Sequence, residues 1–235
     1  MCESPVPTSH VPAELCEACF VALRELESAA ACHRCGMPVA RRGDPCPHCA
    51  GRGLFPFDRV LRLGIFDFPI TDLIHRAKYH GRWPMAELLA DRLLEQERVK
   101  ALLSEPPIDD HRLVAVPLHA WRHATRGYNQ ADVIAERLSH RSGVLLARPA
   151  VRLRHTETQT HLHSHAKREE NLRDAFGLVS PRGIAGRHVI LVDDVMTTGA
   201  TLQALARTVR QANPASLSAI VVAIADPKRR GFEVI

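Results

Sequence analysis

The chain has 235 residues, enough for one sizeable domain and a small one. With 46% hydrophobic and 24% charged residues it has the balance of a soluble globular protein. No run approaches about 18 consecutive apolar residues, which excludes a membrane-spanning helix. Residues 1–10 lack the basic and then apolar order of a secretory signal, which makes the cytoplasm the expected compartment. The net charge of +5 is uneven. Residues 1–110 hold 13 Lys and Arg against 16 Asp and Glu, net −3, and residues 111–235 hold 18 against 10, net +8. The second half therefore suits an anionic partner such as a phosphate, a nucleotide or nucleic acid, although solvated basic faces are also common.

All seven cysteines lie in the first 49 residues. Six form the pairs Cys16/Cys19, Cys32/Cys35 and Cys46/Cys49, each with two residues between, and Cys2 stands alone. A Cys-x2-Cys turn lets two thiolates converge on one ion, and two such turns complete a tetrahedral zinc site. Twelve residues separate Cys19 from Cys32 and ten separate Cys35 from Cys46, gaps that suit the knuckles of a small ribbon. A segment this short and poor in large apolar residues needs metal for much of its folding free energy. A disulfide framework would need a secreted chain, and a redox pair would need a βαβ context. All six paired cysteines are candidate zinc ligands. They exceed one ion by two, so Cys2 with His33 or His48 could help to fill a second site. The sequence leaves open which four share an ion.

A joint at 51–56 follows, dividing the chain into a cysteine-rich module at 1–55 and a main domain at 56–235. The pattern at 60–68 reads as one strand or two. Segments 70–79 and 85–99 have the apolar spacing of amphipathic helices. The first ends in cations, Lys78 among them, which suit its dipole as well as a ligand. Pro106, Pro107, Asp109 and Asp110 mark a turn. Residues 113–118 form an apolar strand, then comes a basic loop with Arg122 and Arg126, then a helix at 129–138. Residues 154–168 are polar and read as a long mobile loop. Their alternating His161, His163 and His165 are read as solvated rather than as a metal strip. A strand at 189–192, a helix at 201–211 and a strand at 217–225 complete the order. Strands alternating with helices indicate α/β architecture with a parallel sheet. There is no internal repeat.

The strand at 189–192 runs into Asp193 and Asp194, then Val195, Met196, Thr197, Thr198, Gly199, Ala200 and Thr201. Two acids at the carboxyl edge of a parallel strand stand where such folds bind ligands. The small, hydroxyl-rich loop can aim several backbone N–H groups at an anion, helped by the following helix terminus. Carboxylates for sugar hydroxyls beside an amide nest for a phosphate suit a phosphorylated ribose. The order resembles the phosphoribosyl-diphosphate fingerprint of type I phosphoribosyltransferases. That resemblance implies that Asp193 and Asp194 bind the ribose hydroxyls and that Thr197, Thr198, Gly199, Ala200 and Thr201 hold the 5′-phosphate. It further implies that the basic loop with Arg122 and Arg126 binds diphosphate, and that the 154–168 segment closes over the substrate.

Taken together, the cysteine pairs, Lys78, the stretch Val116 to Gln130 with its Arg126-Gly127-Tyr128-Asn129-Gln130, then Gln159, Arg168, Asn171, Ala175 and Phe176, and the acid loop resemble the ComF family of competence-associated proteins. Family members often carry a further cysteine pair where this chain has only Cys2. The resemblance implies a sheet of the type I phosphoribosyltransferase kind behind a zinc module. It implies displacement at C1 of 5-phosphoribosyl diphosphate with Mg²⁺ between diphosphate and ribose hydroxyls. The rival expectation is a non-catalytic helper that binds single-stranded DNA through the basic half and the zinc module. Against it, aromatic residues are only 5% of the chain, with Tyr79, Trp83, Trp121 and Tyr128 the few stacking candidates.

Overall fold

The computed structural model describes residues 15–79, 82–105, 107–154 and 174–225. Its framework is a five-stranded sheet in the order β1-β7-β6-β2-β3. These strands are β1 (Arg59–Ile65), β2 (His111–Ala115), β3 (Leu145–Leu146), β6 (His188–Met196) and β7 (Ser216–Ile224), all paired in parallel. Near-continuous apolar runs give β6 and β7 the burial on both faces that a parallel sheet requires. The pleat sorts them. Ile190, Val192, Ile220 and Val222 face one core with Leu73, Leu89 and Ile134. Val189, Leu191, Ala219 and Val221 face the other with Leu202, Leu205 and Val209.

The first core is roofed by α2 (Ile70–Tyr79), α3 (Pro84–Glu95), α4 (Glu97–Leu103) and α6 (Gln130–Ser142). The second is roofed by α7 (Ala200–Arg210) and a small antiparallel pair, β4 (Ala150–Arg152) with β5 (Phe176–Leu178). The crossover from β2 to β3 thus lies on one face and that from β6 to β7 on the other. Between β2 and β6 the winding reverses, which opens a crevice at the carboxyl ends of those strands.

Three elements differ from the sequence expectation. The helix at 85–99 is broken at Gln96, whose φ of −72° and ψ of 121° are extended. On an unbroken helix Leu93 and Val99 would stand about 120° apart, and the break lets both be buried. The basic loop with Arg122 and Arg126 is a short helix, α5 (Ala120–Arg126), capped by His119 and closed by left-handed Gly127. The first cysteine pair stands at the start of a helix, α1 (Glu17–Ser28), whose Leu23 is fully buried in the first core. Most of the expected loop at 154–168 lies outside the described residues. Among the described residues no helix is long and apolar enough to cross a membrane.

One buried ion pair joins α1 to α3. Arg92 donates through Nε to Glu27 Oε1 at 2.8 Å and through Nη2 to Oε2 at 2.5 Å. Both side chains are under a tenth exposed. Glu27→Ala strands a buried guanidinium and is expected to cost about 3–5 kcal/mol in urea denaturation, whereas Glu27→Leu with Arg92→Met is expected to be near neutral. Equal losses in the two variants would refute this account of the contact.

Candidate functional site

The ladder between β2 and β6 ends at Ala115 and Val192, with one more bond from Val116 N–H to the Val192 carbonyl at 2.9 Å. The ladder between β6 and β7 continues to Met196 and Ile224. Asp193 and Asp194 therefore lie within the strand, not after it, but on the part of β6 that β2 no longer covers. Successive strand residues alternate in face. Asp194 continues the first face, and its Oδ2 meets Lys78 Nζ at the end of α2 at 2.8 Å. Asp193 accepts the Asp194 backbone N–H at 2.9 Å. Burial and the adjacent Asp194 charge push the Asp193 carboxyl from 3.8 up to about 7, against the opposing pull of that N–H and of Lys78 and Arg152.

Beyond Met196 the chain turns through exposed Thr197 and half-buried Thr198 to Gly199, which opens α7 with a φ of +79°. The Ala200 N–H lies 3.4 Å from Thr198 Oγ1, and Thr201 stands in the first helical turn. The sequence pattern placed these residues together, and so does the structure. The helix terminus adds orphan amides and a favourable dipole for an anion.

The Arg-Gly-Tyr-Asn-Gln stretch is chiefly a brace. Asn129 caps α6 by accepting the Ala131 N–H at 3.2 Å, and its amide donates to the Val116 carbonyl at 3.0 Å. Tyr128 Oη and Gln130 Nε2 both donate to the Ala77 carbonyl. The residue before Lys78 is thereby tied to the start of α6. Arg126 Nη1 reaches Gln130 Oε1 at 3.5 Å. Arg122 lies on α5, and its side chain falls outside the described residues.

Four of the six paired cysteines converge. The sulfurs of Cys32, Cys35, Cys46 and Cys49 lie within 4.8 Å of one another, with Cys32 to Cys49 at 3.7 Å and Cys35 to Cys46 at 3.6 Å. A Zn–S length of about 2.3 Å gives tetrahedral S···S edges of about 3.8 Å, so the cluster fits a structural zinc ion. Burial raises the Cys35 thiol. Burial also acts upward on Cys49, but N–H groups of Gly53 and Gly51 and the Cys35 thiol outweigh it and bring Cys49 to about 7. Cys16 and Cys19 stand at the cap and first turn of α1, outside this cluster. Cys2 lies outside the described residues, and His33 and His48 are exposed.

Residues 124–234 match the family model described as phosphoribosyl transferase domain. The DNA utilization protein YhgH of Salmonella typhimurium is 36% identical over 208 residues, 88% of each chain. Its counterpart in Escherichia coli strain K12 is 34% identical over the same span. Competence protein F of Haemophilus influenzae is 31% identical over 199 residues, 84% of each chain. The chain belongs to the ComF family. Its fold is accordingly the type I phosphoribosyltransferase α/β sheet, with the cysteine cluster on the N-terminal side of that domain.

In this ComF-family chain, the sequence singles out the acids, the loop and Lys78, and the structure sets two further residues beside them. Arg152 on β4 acts on Asp193 and lies over the Phe176 ring at 5.5 Å. Leu54 approaches Gly199. Neither sits in a motif, and only a contact across the fold reveals them.

Because its carboxyl is raised, Asp193 binds its proton more tightly folded than unfolded. Its ionisation opposes folding increasingly from about pH 4 to pH 7 and fully above that. Asp193→Asn is therefore expected to raise the melting temperature at pH 8 and to lose that advantage near pH 4.5. A gain of equal size at both values would refute the raised carboxyl. For the cluster, the full chain is expected to hold one zinc per molecule by native mass spectrometry. That ion should survive Cys16→Ser with Cys19→Ser and be lost in Cys35→Ser with Cys46→Ser. The reverse pattern would reassign the ligands.

Proposed function

We propose that the crevice between β2 and β6 binds 5-phosphoribosyl diphosphate and supports phosphoribosyl transfer. The observation that carries this reading is the join of Asp193 and Asp194, on uncovered strand, to a glycine turn at the start of α7. Asp193 and Asp194 accept the ribose hydroxyls, and residues 197–201 surround the 5′-phosphate with amide and hydroxyl donors. Lys78 faces the acids from α2 and stands ready to share its charge with an anionic ligand. Arg122 and Arg126, between β2 and α6, supply guanidinium groups for the diphosphate. Mg²⁺, were it bound with the diphosphate beside Asp193 and Asp194, would supply positive charge that stabilises the leaving group. The nucleophile replaces diphosphate at C1, and the protein contributes positioning and stabilisation of the leaving group.

A second reading follows from the names of the relatives, which refer to DNA utilization and competence. It is supported by the +8 charge of residues 111–235. In it the chain holds single-stranded DNA, and the sugar-phosphate crevice engages a nucleotide without turnover.

Calorimetric titration separates them. With Mg²⁺, 5-phosphoribosyl diphosphate is expected to bind wild type at micromolar concentration, and Asp193→Asn with Asp194→Asn is expected to lose that binding while keeping the fold. A folded wild type that ignores this ligand but binds an oligothymidylate would sink the first reading in favour of the second.

A further inference from the structure

Leu54 belongs to two packed clusters at once. With Met37 and Val39 it lies against the four cysteines. With Met37 it also lies against the second core, which contains Met196, Ala200 and Ile224. A Cβ on Gly199 would stand 3.0 Å from Leu54 Cδ2, so the leucine forms the floor of the turn that opens α7. Gly199 is thus required twice, by its positive φ and by this close approach.

The segment that carries Leu54 is fastened to the cysteine cluster. Cys49 accepts N–H bonds from Gly51 and from Gly53, the residue before Leu54. The Arg52 N–H donates to the Cys49 carbonyl at 2.8 Å, and the Phe57 N–H donates to the Leu54 carbonyl at 2.8 Å. Two other contacts hold the knuckle and the segment after it to the sheet and to α7. A Cβ on Gly36 would meet Ile224 Cδ1 at 2.8 Å, and Ile224 is the register partner of Met196. Arg210 at the far end of α7 donates to the Pro56 carbonyl at 2.7 Å.

We infer that Leu54 is a positioning residue through which the metal-bound cysteine knuckle fixes the loop at 197–201. The inference rests on the reading of that loop as the phosphate cradle. Residues 29–57 contain few large apolar side chains, so bound metal supplies much of the order of the knuckle. With the metal removed, the Cys49 turn relaxes, Leu54 leaves the floor beneath Gly199, and the loop amides lose their common direction. Donors held in place before the ligand arrives are what bind an anion tightly, and ordering them afterwards costs affinity. Linkage is reciprocal. The factor by which zinc strengthens ligand binding equals the factor by which the ligand strengthens zinc binding.

Hydrogen exchange read by mass spectrometry on the full chain tests this without any ligand. Stripping zinc with a chelator is expected to speed exchange at 197–203 on the order of tenfold, a typical size for coupling between sites, while β2 stays protected. Leu54→Ala is expected to show the fast loop with its zinc still bound, and Leu54→Met to restore the slow loop. In titrations with 5-phosphoribosyl diphosphate and Mg²⁺, zinc removal and Leu54→Ala should each weaken binding by that same factor. In competition with a chromophoric chelator, saturating ligand should tighten zinc binding in wild type and not in Leu54→Ala. Loop exchange that ignores zinc, or a Leu54→Ala loop as slow as wild type, overturns the inference, as does loss of β2 protection together with the loop. A loop that responds to zinc in a protein that fails to bind 5-phosphoribosyl diphosphate would overturn the ligand reading and leave the positioning role standing.

Discussion

The structure turns on the unequal reach of two neighbouring strands. β2 gives its last ladder bond to β6 at Val116. β6 runs on to Met196 with β7 as its partner. The gap this leaves puts two carboxylates on a strand inside the molecule, yet open on one side. Helices packed on opposite faces of the sheet follow from the same divergence, because the crossovers leave β2 and β6 in opposite directions. What surrounds the gap holds its walls apart. Ala77 is bound from α6, Asn129 is bound to the end of β2, and α7 starts where β6 stops.

Two adjacent acids in such a place are costly, and the pleat lowers that cost by sending them to opposite faces. Lys78 of α2 pairs with Asp194, and the charges of Lys78 and of Arg152 on β4 both favour the ionised Asp193 carboxyl. The compensation is incomplete, since burial still pushes Asp193 to about 7. A group held in a state that opposes folding is a common mark of a site built to bind something. Lys78 ends a helix, where the dipole favours it, and it also faces the acid.

Much of this was legible in the residues. Segment 70–79 shows its helix by apolar spacing alone, and the strands β6 and β7 show as apolar runs of the right length. The acid loop was legible because its chemistry is local, with the acids, hydroxyls and glycine all within nine residues. The elements that stayed hidden have non-local causes. The described side chains of α5 give no buried face to produce a periodic pattern, so its basic residues read as a loop. The break at Gln96 is set by where Val99 and Leu102 find the core. α1 was masked by its own cysteines, which suggest a metal turn more strongly than Leu23 and Leu26 suggest a helix. Spacing cannot choose among three cysteine pairs, and only the folded chain brings the second and third together.

The seat of the cysteine knuckle explains why its effects need not stay local. β1 is an edge strand, and an open edge invites pairing with other chains. Here the Val60 N–H donates to the Arg34 carbonyl at 2.9 Å, so the knuckle covers part of that edge. Arg62, in the middle of β1, donates to the carbonyls of Gly36, Ala29 and Ala30. Burial lowers its guanidinium to about 10, a cost set against its bonds to three carbonyls of irregular chain. A segment with so little apolar area of its own borrows order from the sheet through Arg62, and its four clustered thiols are placed to hold a metal ion that would add to it. It returns that order to the sheet at the strand ends and the glycine turn, through Gly36 and Leu54. A cysteine module hung on a flexible tether would have no such route to the crevice. One pressed against β1, β7 and α7 has several, and its composition and its position are parts of one design for holding the loop still.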